Sequence, residues 1–165
     1  MSKVKKFQPE IENYKVFEYV EFQVGNSKFG ISINSVREII EPIPVTLLPH
    51  SHPFVEGIIQ LRGEVLPVID LKIVTGNNGL FDSANSKYIV AEFDGTTVAL
   101  DVTAVTQIER IIFSEIEVAT DMYEGQLVPV RGIIKRGDEM ILLVDFEKII
   151  SEQFKQPEKR TNLYR

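Results

Sequence analysis

The chain has 165 residues, of which 44% are hydrophobic, and it contains no cysteine. This length suits one domain or two small ones, and the lack of cysteine excludes disulfide bonds, thiolate metal sites and a cysteine nucleophile. A formal net charge of −6 argues against binding to nucleic-acid phosphates, and no apolar run approaches the roughly 20 residues that cross a membrane, so we expect a soluble, cytoplasmic protein without membrane insertion.

The first half of the chain begins with a hairpin. Apolar side chains at every second position are typical of a strand with one buried face, and they flank a turn at Gly25-Asn26-Ser27-Lys28. The apolar positions are Val20, Phe22 and Val24 before the turn and Phe29, Ile31 and Ile33 after it, which leaves Tyr19, Glu21 and Gln23 for the other face of the first strand. Prolines at four positions from 42 to 53 then exclude a helix.

Two further apolar strands, Gly57 to Leu61 and Glu64 to Asp70, are predicted to meet at Arg62-Gly63. Glycine allows the positive φ that a tight turn between strands often demands. Arg62 is therefore predicted in the turn, where its five guanidinium donors can hold a carboxylate or meet a partner. Asp70 is placed to cap one short helical turn that ends before Gly76.

The second half repeats this organisation and adds a helix. Asp94-Gly95 between two apolar strands is a strong signal for a type I′ hairpin turn. Strands continue to Val144, after which the apolar period changes to that of a helix behind the potential cap Asp145. We predict a C-terminal helix at about 145–155, with its apolar stripe at Phe146, Ile149, Ile150 and Phe154.

The two halves of the chain resemble each other. Gly57, Arg62-Gly63 and Asp70 have apparent counterparts in Gly132, Arg136-Gly137 and Asp145, and the apolar spacing of Ile31, Ile33, Val36 and Ile39 recurs at Leu100, Val102, Val105 and Ile108. We interpret Gly57, Gly63, Gly132 and Gly137 as turn glycines. Two copies suit a pair of small closed sheets, so we predict an all-β fold of two tandem barrels with about five strands each. Within one domain of residues 16–165, the sub-barrels are predicted at about 16–80 and 86–145, and strand exchange between them stays open.

The sequence contains little that supports catalysis. His50 and His52 are the only histidines, and the alternatives for them are two ligands of a metal site or ordinary side chains of a proline-bounded loop. We expect the second, hence no metal and no cofactor. Asp70 and Asp145 each stand where a strand changes to a helical turn, which favours capping over acid–base chemistry.

The stretch from Pro49 to Leu71, with the pattern P-x3-P-F-V-x-G-I-x2-L-R-G-x-V-L-P-V-I-D-L, resembles the CheW family. Supporting similarity runs from Tyr19 to Asp145 and leaves only about the first 15 and last 10 residues uncovered. The resemblance implies two SH3-like five-stranded barrels and a non-enzymatic adaptor. Such an adaptor couples the cytoplasmic tips of methyl-accepting chemoreceptors to the regulatory domain of the histidine kinase CheA, in receptor–kinase arrays on the inner face of the membrane.

The resemblance also implies a receptor-binding groove between the barrels. The positions that match the family pattern are Val36, Glu38, Gly57 and Arg62, and the family pairs the acidic residue with the turn arginine. Ala99 belongs to the same surface but stands where the family often has glycine. No motif identifies the kinase side. Met122 and Tyr123, two apolar residues beside acids, are candidate kinase contacts, with core packing as the alternative.

Two other functions are consistent with the sequence. Within the same fold, the chain could be the coupling protein of another CheA-like pathway, such as one that controls pili or surface sensing. In a different class, it could be a β-barrel that binds a ligand or metal through His50, His52 and nearby acids such as Glu56 and Glu64.

Overall fold

The computed structural model describes residues 14–49, 52–76, 84–118 and 130–153. These ranges contain β-strands, two short 3-10 turns and two α-helices. The first half comprises β1 (Val16–Val24), β2 (Ser27–Ser32), a 3-10 turn (Ile33–Ser35), β3 (Val36–Ile40), β4 (Val55–Leu61), β5 (Glu64–Asp70) and α1 (Leu71–Val74). The second half comprises β6 (Lys87–Phe93), β7 (Thr96–Val102), β8 (Ala104–Ile112), a 3-10 turn (Phe113–Glu115), β9 (Ile116–Val118), β10 (Val130–Arg136), β11 (Glu139–Val144) and α2 (Phe146–Gln153).

The strands form two sheets, each of which combines strands from both halves of the chain. Sheet A has six strands in the order β8-β1-β2-β11-β10-β9, and sheet B has five in the order β3-β6-β7-β5-β4. The hairpin β1–β2 therefore joins strands of the second half, and the hairpin β6–β7 joins strands of the first. Each hairpin is attached by one parallel pairing, β2 with β11 and β7 with β5. Each sheet thus contains strands from both predicted sub-barrels, 16–80 and 86–145. The division of the chain into domains stays a prediction.

The edges of each sheet approach each other, through backbone hydrogen bonds in sheet B and through a side-chain ion pair in sheet A. In sheet B, Thr46 follows edge strand β3 and exchanges two backbone hydrogen bonds of 2.9 Å with Ile58 on the opposite edge strand β4. In sheet A, the edge strands β8 and β9 are consecutive in the chain, and Arg136 of β10 lies 3.6 Å from Glu109 of β8. The prediction of an all-β fold with two barrels and a C-terminal helix is confirmed. Barrel A has six strands instead of five because β9 adds a short pairing with β10.

Helix α2 lies against the apolar core that the two sheets share. Phe146, Ile149 and Ile150 are buried in the same cluster as side chains of β1, β2, β6 and β7. The Asp145 carboxylate accepts a hydrogen bond of 3.0 Å from the Lys148 N–H, which caps the first turn. Asp70 caps α1 in the same way, through the Lys72 N–H at 2.9 Å. Both capping predictions are confirmed, and no helix among the described residues is long and apolar enough to span a membrane.

The turns differ between the two halves in one important respect. Arg62 and Gly63 have φ values of 50° and 84°, as expected for a type I′ turn, and they lie between the paired residues Leu61 and Glu64. In the second half, Arg136 pairs with Glu139 and is the last residue of β10, so the turn consists of residues 137 and 138. The predicted correspondence of Arg62 with Arg136 is therefore wrong by one residue: Arg136 corresponds to Leu61.

Gly57 and Gly132 are strand glycines, and their interpretation as turn glycines is wrong. A Cβ on Gly57 would lie 2.3 Å from the Thr46 carbonyl oxygen and 2.6 Å from Val45 Cγ1. A Cβ on Gly132 would meet Ile116 Cγ2 at 2.6 Å and the Glu117 carbonyl oxygen at 3.1 Å. In both barrels, therefore, glycine is required because another backbone segment crosses the strand at close range.

Candidate functional site

The strongest candidate site lies on barrel B, where β3 faces the turn between β4 and β5. Glu38 projects from β3 and Arg62 from the turn, and they form a bidentate ion pair. Arg62 Nη1 donates to Glu38 Oε2 at 2.5 Å, and Nη2 donates to Oε1 at 2.6 Å. Beside them, Arg37 lies 3.7 Å from Glu64 and donates to the Thr97 hydroxyl at 3.2 Å. We call these four charged residues, Arg37, Glu38, Arg62 and Glu64, the acid–arginine surface.

The pair between Glu38 and Arg62 is accessible to solvent, with side-chain exposures of 29% and 68%. The hydrogen bond from Arg62 lowers the pKa of Glu38, and the same bond raises the pKa of Arg62. Both groups consequently stay charged at neutral pH. Because an exposed ion pair is screened by water, it contributes little to stability, but the two-point contact fixes the orientation of the guanidinium.

The other three residues expected at the receptor surface are partly or fully buried. Val36 is partly buried against the shared core, and Gly57 is buried beneath the Val45-Thr46 segment. Ala99 is fully buried in barrel B, between Val90 of β6 and Val68 of β5. Of the five residues, the structure brings only Glu38 and Arg62 into direct side-chain contact at the surface. A role of the other three in binding stays a prediction.

Several apolar side chains of barrel B are also exposed. They are Ile39 on β3, Leu47 and Leu48 in the segment after Thr46, and Val65 on β5. Ile39 and Val65 follow Glu38 and Glu64 within their strands, where successive side chains point to opposite faces of the sheet. Exposed apolar groups are typical of protein-binding surfaces.

A second charged cluster, not predicted from the sequence, lies inside barrel A. Glu21 is fully buried, and its carboxylate lies 2.8 Å from Arg136 Nη2 and 3.7 Å from Lys28 Nζ. Gln107 Nε2 also donates to Glu21, at 3.3 Å. The alternating pattern predicted Tyr19 and Glu21 on an exposed face, but both point into barrel A, while Val20 and Phe22 face the shared core. The sequence contained one sign of this buried pair: Arg136 occupies the position that corresponds to the apolar Leu61 in the first half.

The residues suggested as kinase contacts and as metal ligands form no site among the described residues. Met122, Tyr123 and His50 lie outside the described residues. His52 Nδ1 accepts a hydrogen bond of 3.1 Å from the Phe54 N–H, and its ring packs on that of Phe54 with centroids 5.0 Å apart. Within the described ranges, no group of three or more histidine, aspartate or glutamate side chains could hold a metal ion.

We expect the double substitution of His50 and His52 by alanine to leave folding and partner binding unchanged. The His52 imidazole makes a local contact with its own loop, and no further ligand is indicated among the described residues. The measurements are thermal unfolding and calorimetric titration with zinc of the natural protein and the variant. Stoichiometric zinc binding that the double substitution abolishes would restore the metal hypothesis.

Glu56 has the most perturbed carboxyl group among the described residues. Burial raises its pKa to about 8, with further contributions from a hydrogen bond to Asp101 and from the charges of Asp101 and Asp70. Its Oε1 is buried and accepts no hydrogen bond from the described part of the chain. When Glu56, Asp70 and Asp101 are all ionised, their carboxylates therefore repel one another. The stability of the folded protein consequently depends on pH.

We expect Glu56→Gln to stabilise the protein progressively as the pH rises from about 4.5 to about 8. In this window the unfolded chain has released the Glu56 proton whereas the folded protein retains it, so the natural protein loses stability with rising pH. Below about 4.5 both states are protonated and the two proteins should unfold alike. Unfolding temperatures between pH 4 and 8.5 provide the measurement, with the exposed Glu92→Gln as control. A difference that does not change with pH would contradict this account.

Comparison with known proteins identifies the relatives of this chain. The family model described as "CheW-like domain" matches residues 18–154. A probable chemotaxis protein CheW from Rhizobium etli is 37% identical over 139 residues, which cover 82% of this chain and 88% of the relative. A chemotaxis protein CheW from Thermotoga maritima is 30% identical, covering 84% and 90%. The crystal structure of the scaffolding protein TtCheW from Thermoanaerobacter tengcongensis superposes with a TM-score of 0.74 at 30% identity, covering 82% of this chain and 88% of that one.

Proposed function

This chain belongs to the CheW-like domain family, and we propose that it binds the cytoplasmic tip of a chemoreceptor through the acid–arginine surface. It is a non-enzymatic adaptor of chemotaxis. Adaptors of this kind couple chemoreceptors to the histidine kinase CheA in signal transduction. The identity of the two partners, the receptor tip and the regulatory domain of CheA, is part of the proposal. So is its location in the cytoplasm, at receptor–kinase arrays.

The observation that carries the proposal is the Arg62 side chain itself. It stands on a turn, is 68% exposed, and is held at two points by Glu38. A side chain with this exposure adds little to folding, whereas a guanidinium of fixed orientation is a good anchor for a protein partner because less entropy is lost on binding. Arginine is among the residues most enriched at binding hot spots.

The buried members of the proposed receptor site support this surface from below. A side chain on Gly57 would collide with the Thr46 carbonyl group and displace the segment that leads to the exposed Leu47 and Leu48. Val36 anchors β3 in the shared core, two residues before Glu38. We therefore assign Val36, Gly57 and Ala99 to shaping the surface, and Glu38 and Arg62 to its chemistry.

The kinase side of the proposal rests on family membership. Met122 and Tyr123 remain candidate contacts there. The proposal is tested by titrating the full chain with a soluble cytoplasmic receptor fragment and, separately, with the CheA regulatory domain. Binding of both is expected. Arg62→Ala should weaken binding of the receptor fragment and leave binding of the CheA regulatory domain unchanged. An equal loss of affinity for both partners would show that Arg62 is not part of a receptor-specific site.

A further inference from the structure

Glu56 is the extra residue of a β-bulge in β4, and the other barrel has a bulge at the corresponding place. In barrel B, the ladder of β4 with β5 shifts register at Glu56, immediately before Gly57. In barrel A, the ladder of β10 with β11 shifts register at Arg131, immediately before Gly132. The glycine after each bulge is the one that another backbone segment crosses at close range. Glu56 and Arg131 therefore occupy equivalent positions in the two barrels.

The two bulge residues carry opposite charges beside the same kind of neighbour. Arg131 lies 4.0 Å from the carboxylate of Asp145, which caps α2. Glu56 instead experiences the charge of Asp70, which caps α1. Asp70 also lies directly opposite Asp101 in the parallel ladder of β5 with β7. Barrel A thus balances its helix cap with a guanidinium, whereas barrel B places three carboxyl groups together.

The hydrogen bonding of these carboxyl groups requires a proton. Glu56 and Asp101 are hydrogen-bonded to each other, and since a carboxylate oxygen can only accept, one of the two groups must be protonated. Glu56 Oε1 is buried and accepts no hydrogen bond from the described part of the chain, which is unfavourable for an ionised carboxylate. Glu56 is therefore the group that holds the proton, in agreement with the burial that raises its pKa to about 8.

Two further groups act on this cluster. Lys72 of α1 lowers the pKa of Glu56, but its effect is weaker than those of burial, Asp101 and Asp70, which raise it. Tyr88 of β6 lies opposite Asp101 in the sheet, and burial, with the charges of Asp101 and Glu56, raises the pKa of its phenol to about 12. Near pH 8 the charge of the cluster therefore changes at Glu56.

We propose that a proton shared by Glu56 and Asp101 holds the β4 bulge in place, and that its loss at alkaline pH weakens receptor binding. The inference rests on the function proposed above, because Gly57, the residue after the bulge, belongs to the expected receptor site. The proton passes to bulk solvent, and Glu56 then faces the carboxylates of Asp70 and Asp101 as a third negative charge.

Glu56 is the member of the cluster that can move when the carboxylates repel one another. Asp70 and Asp101 are paired on β5 and β7, two inner strands of sheet B. Glu56 belongs to β4, an edge strand of this sheet, and as the extra residue of a bulge it lies outside the regular ladder. Repulsion should consequently displace the bulge and leave the two inner strands in place.

Movement of the bulge is transmitted to the segment that crosses β4. The backbone at Gly57 lies so close to the Thr46 carbonyl oxygen that a Cβ does not fit between them. Directly beyond Gly57, Ile58 and Thr46 exchange two backbone hydrogen bonds of 2.9 Å. Displacing β4 at Gly57 therefore displaces Thr46 and the exposed Leu47 and Leu48 that follow it.

The first test follows the protonation of Glu56 in the full chain without a partner. The carbon-13 signal of its carboxyl group should titrate near pH 8, and the amide signals of Thr46 and Gly57 should follow the same curve. Asp101→Asn should lower the midpoint, because it removes a hydrogen bond and a charge that raise the pKa of Glu56. In Glu56→Gln the amide curve should be absent. A Glu56 carboxyl group that titrates near 4.5, or amide signals that do not follow its titration, would overturn the proposal.

The second test measures the dissociation constant of a soluble cytoplasmic receptor fragment at pH 7 and pH 9. If only the protonated form binds, its fraction falls from about nine-tenths to about one-tenth, so affinity should fall about tenfold relative to Glu56→Gln. Glu56→Gln keeps a neutral group of the same shape, and the exposed Glu92→Gln is the control that should retain the natural pH dependence. The same pH dependence in Glu56→Gln as in the natural protein would overturn the proposal.

The same series separates this inference from the proposed function. Arg62→Ala should bind the receptor fragment weakly at both pH values. Natural affinity of Arg62→Ala at pH 7, or no binding by the natural protein at either pH, would contradict the proposed function. The titrations of Glu56, Thr46 and Gly57 would then still decide whether the proton controls this edge of barrel B: a common curve near pH 8 would support that control, and separate curves would refute it.

Discussion

Arg136→Leu is expected to lower the free energy of unfolding by about 3 kcal/mol, because it leaves the buried Glu21 carboxylate without its principal counter-charge. Breaking a buried pair from one side typically costs roughly 3–5 kcal/mol, and Lys28, at 3.7 Å from Glu21, places the effect at the lower end of that range. The double variant Glu21→Val with Arg136→Leu should recover to within about 1 kcal/mol of the natural protein, since well-packed apolar residues replace buried ion pairs at little cost. Barrel B already contains this apolar combination, as Val90 and Leu61.

Urea unfolding of the two variants and of Arg110→Leu provides the measurement. Arg110 is the matched control, since it belongs to the same sheet and also pairs with a glutamate, but is 71% exposed. Its substitution should cost less than about 1 kcal/mol. If Arg136→Leu were equally mild, or if the double variant were as unstable as the single one, the buried pair would not have the energetic role assigned to it.

This buried pair also shows where sequence-based prediction of the fold reached its limit. The period-2 pattern of β1 correctly predicted a strand and its hairpin turn. It could not show that Glu21 is buried, because a strand between a barrel interior and a shared core is covered on both faces. The exchange of hairpins between the halves could not be read from local pattern either, since the partners of a strand are distant in the chain.

Features set by local chemistry were predicted well. The tight turn at Arg62-Gly63, the type I′ turn at Asp94-Gly95, the caps at Asp70 and Asp145, and the helix after Asp145 depend on neighbouring residues, and all were confirmed. Gly57 was misinterpreted because the feature that requires glycine is the crossing segment at Thr46, which is remote from it in sequence. In the candidate site, the ion pair between Glu38 and Arg62 agreed with the family resemblance, but the burial of Ala99 and Gly57 needed the structure.

The second large effect is expected at Arg62. Arg62→Ala should weaken receptor binding by about thirtyfold or more, as the loss of a well-held interfacial arginine does at hot spots. The midpoint of thermal unfolding should stay within about 3 °C of the natural value, because an exposed ion pair contributes little to folding. Charge reversal at Glu38 should weaken binding less if its task is to orient the guanidinium. Exchanging the two residues, Glu38→Arg with Arg62→Glu, should restore the pair but not the binding.

The most direct test of the receptor-coupling account is the dissociation constant of a receptor cytoplasmic fragment, measured for the natural protein, Arg62→Ala and Arg110→Ala. Arg110 is a close match to Arg62 in exposure, 71% against 68%, and in having a glutamate partner, but it lies on barrel A. The account predicts unfolding temperatures within about 3 °C of one another for all three proteins, natural affinity for Arg110→Ala, and a loss of about thirtyfold for Arg62→Ala alone. Natural affinity in a stably folded Arg62→Ala protein would contradict it.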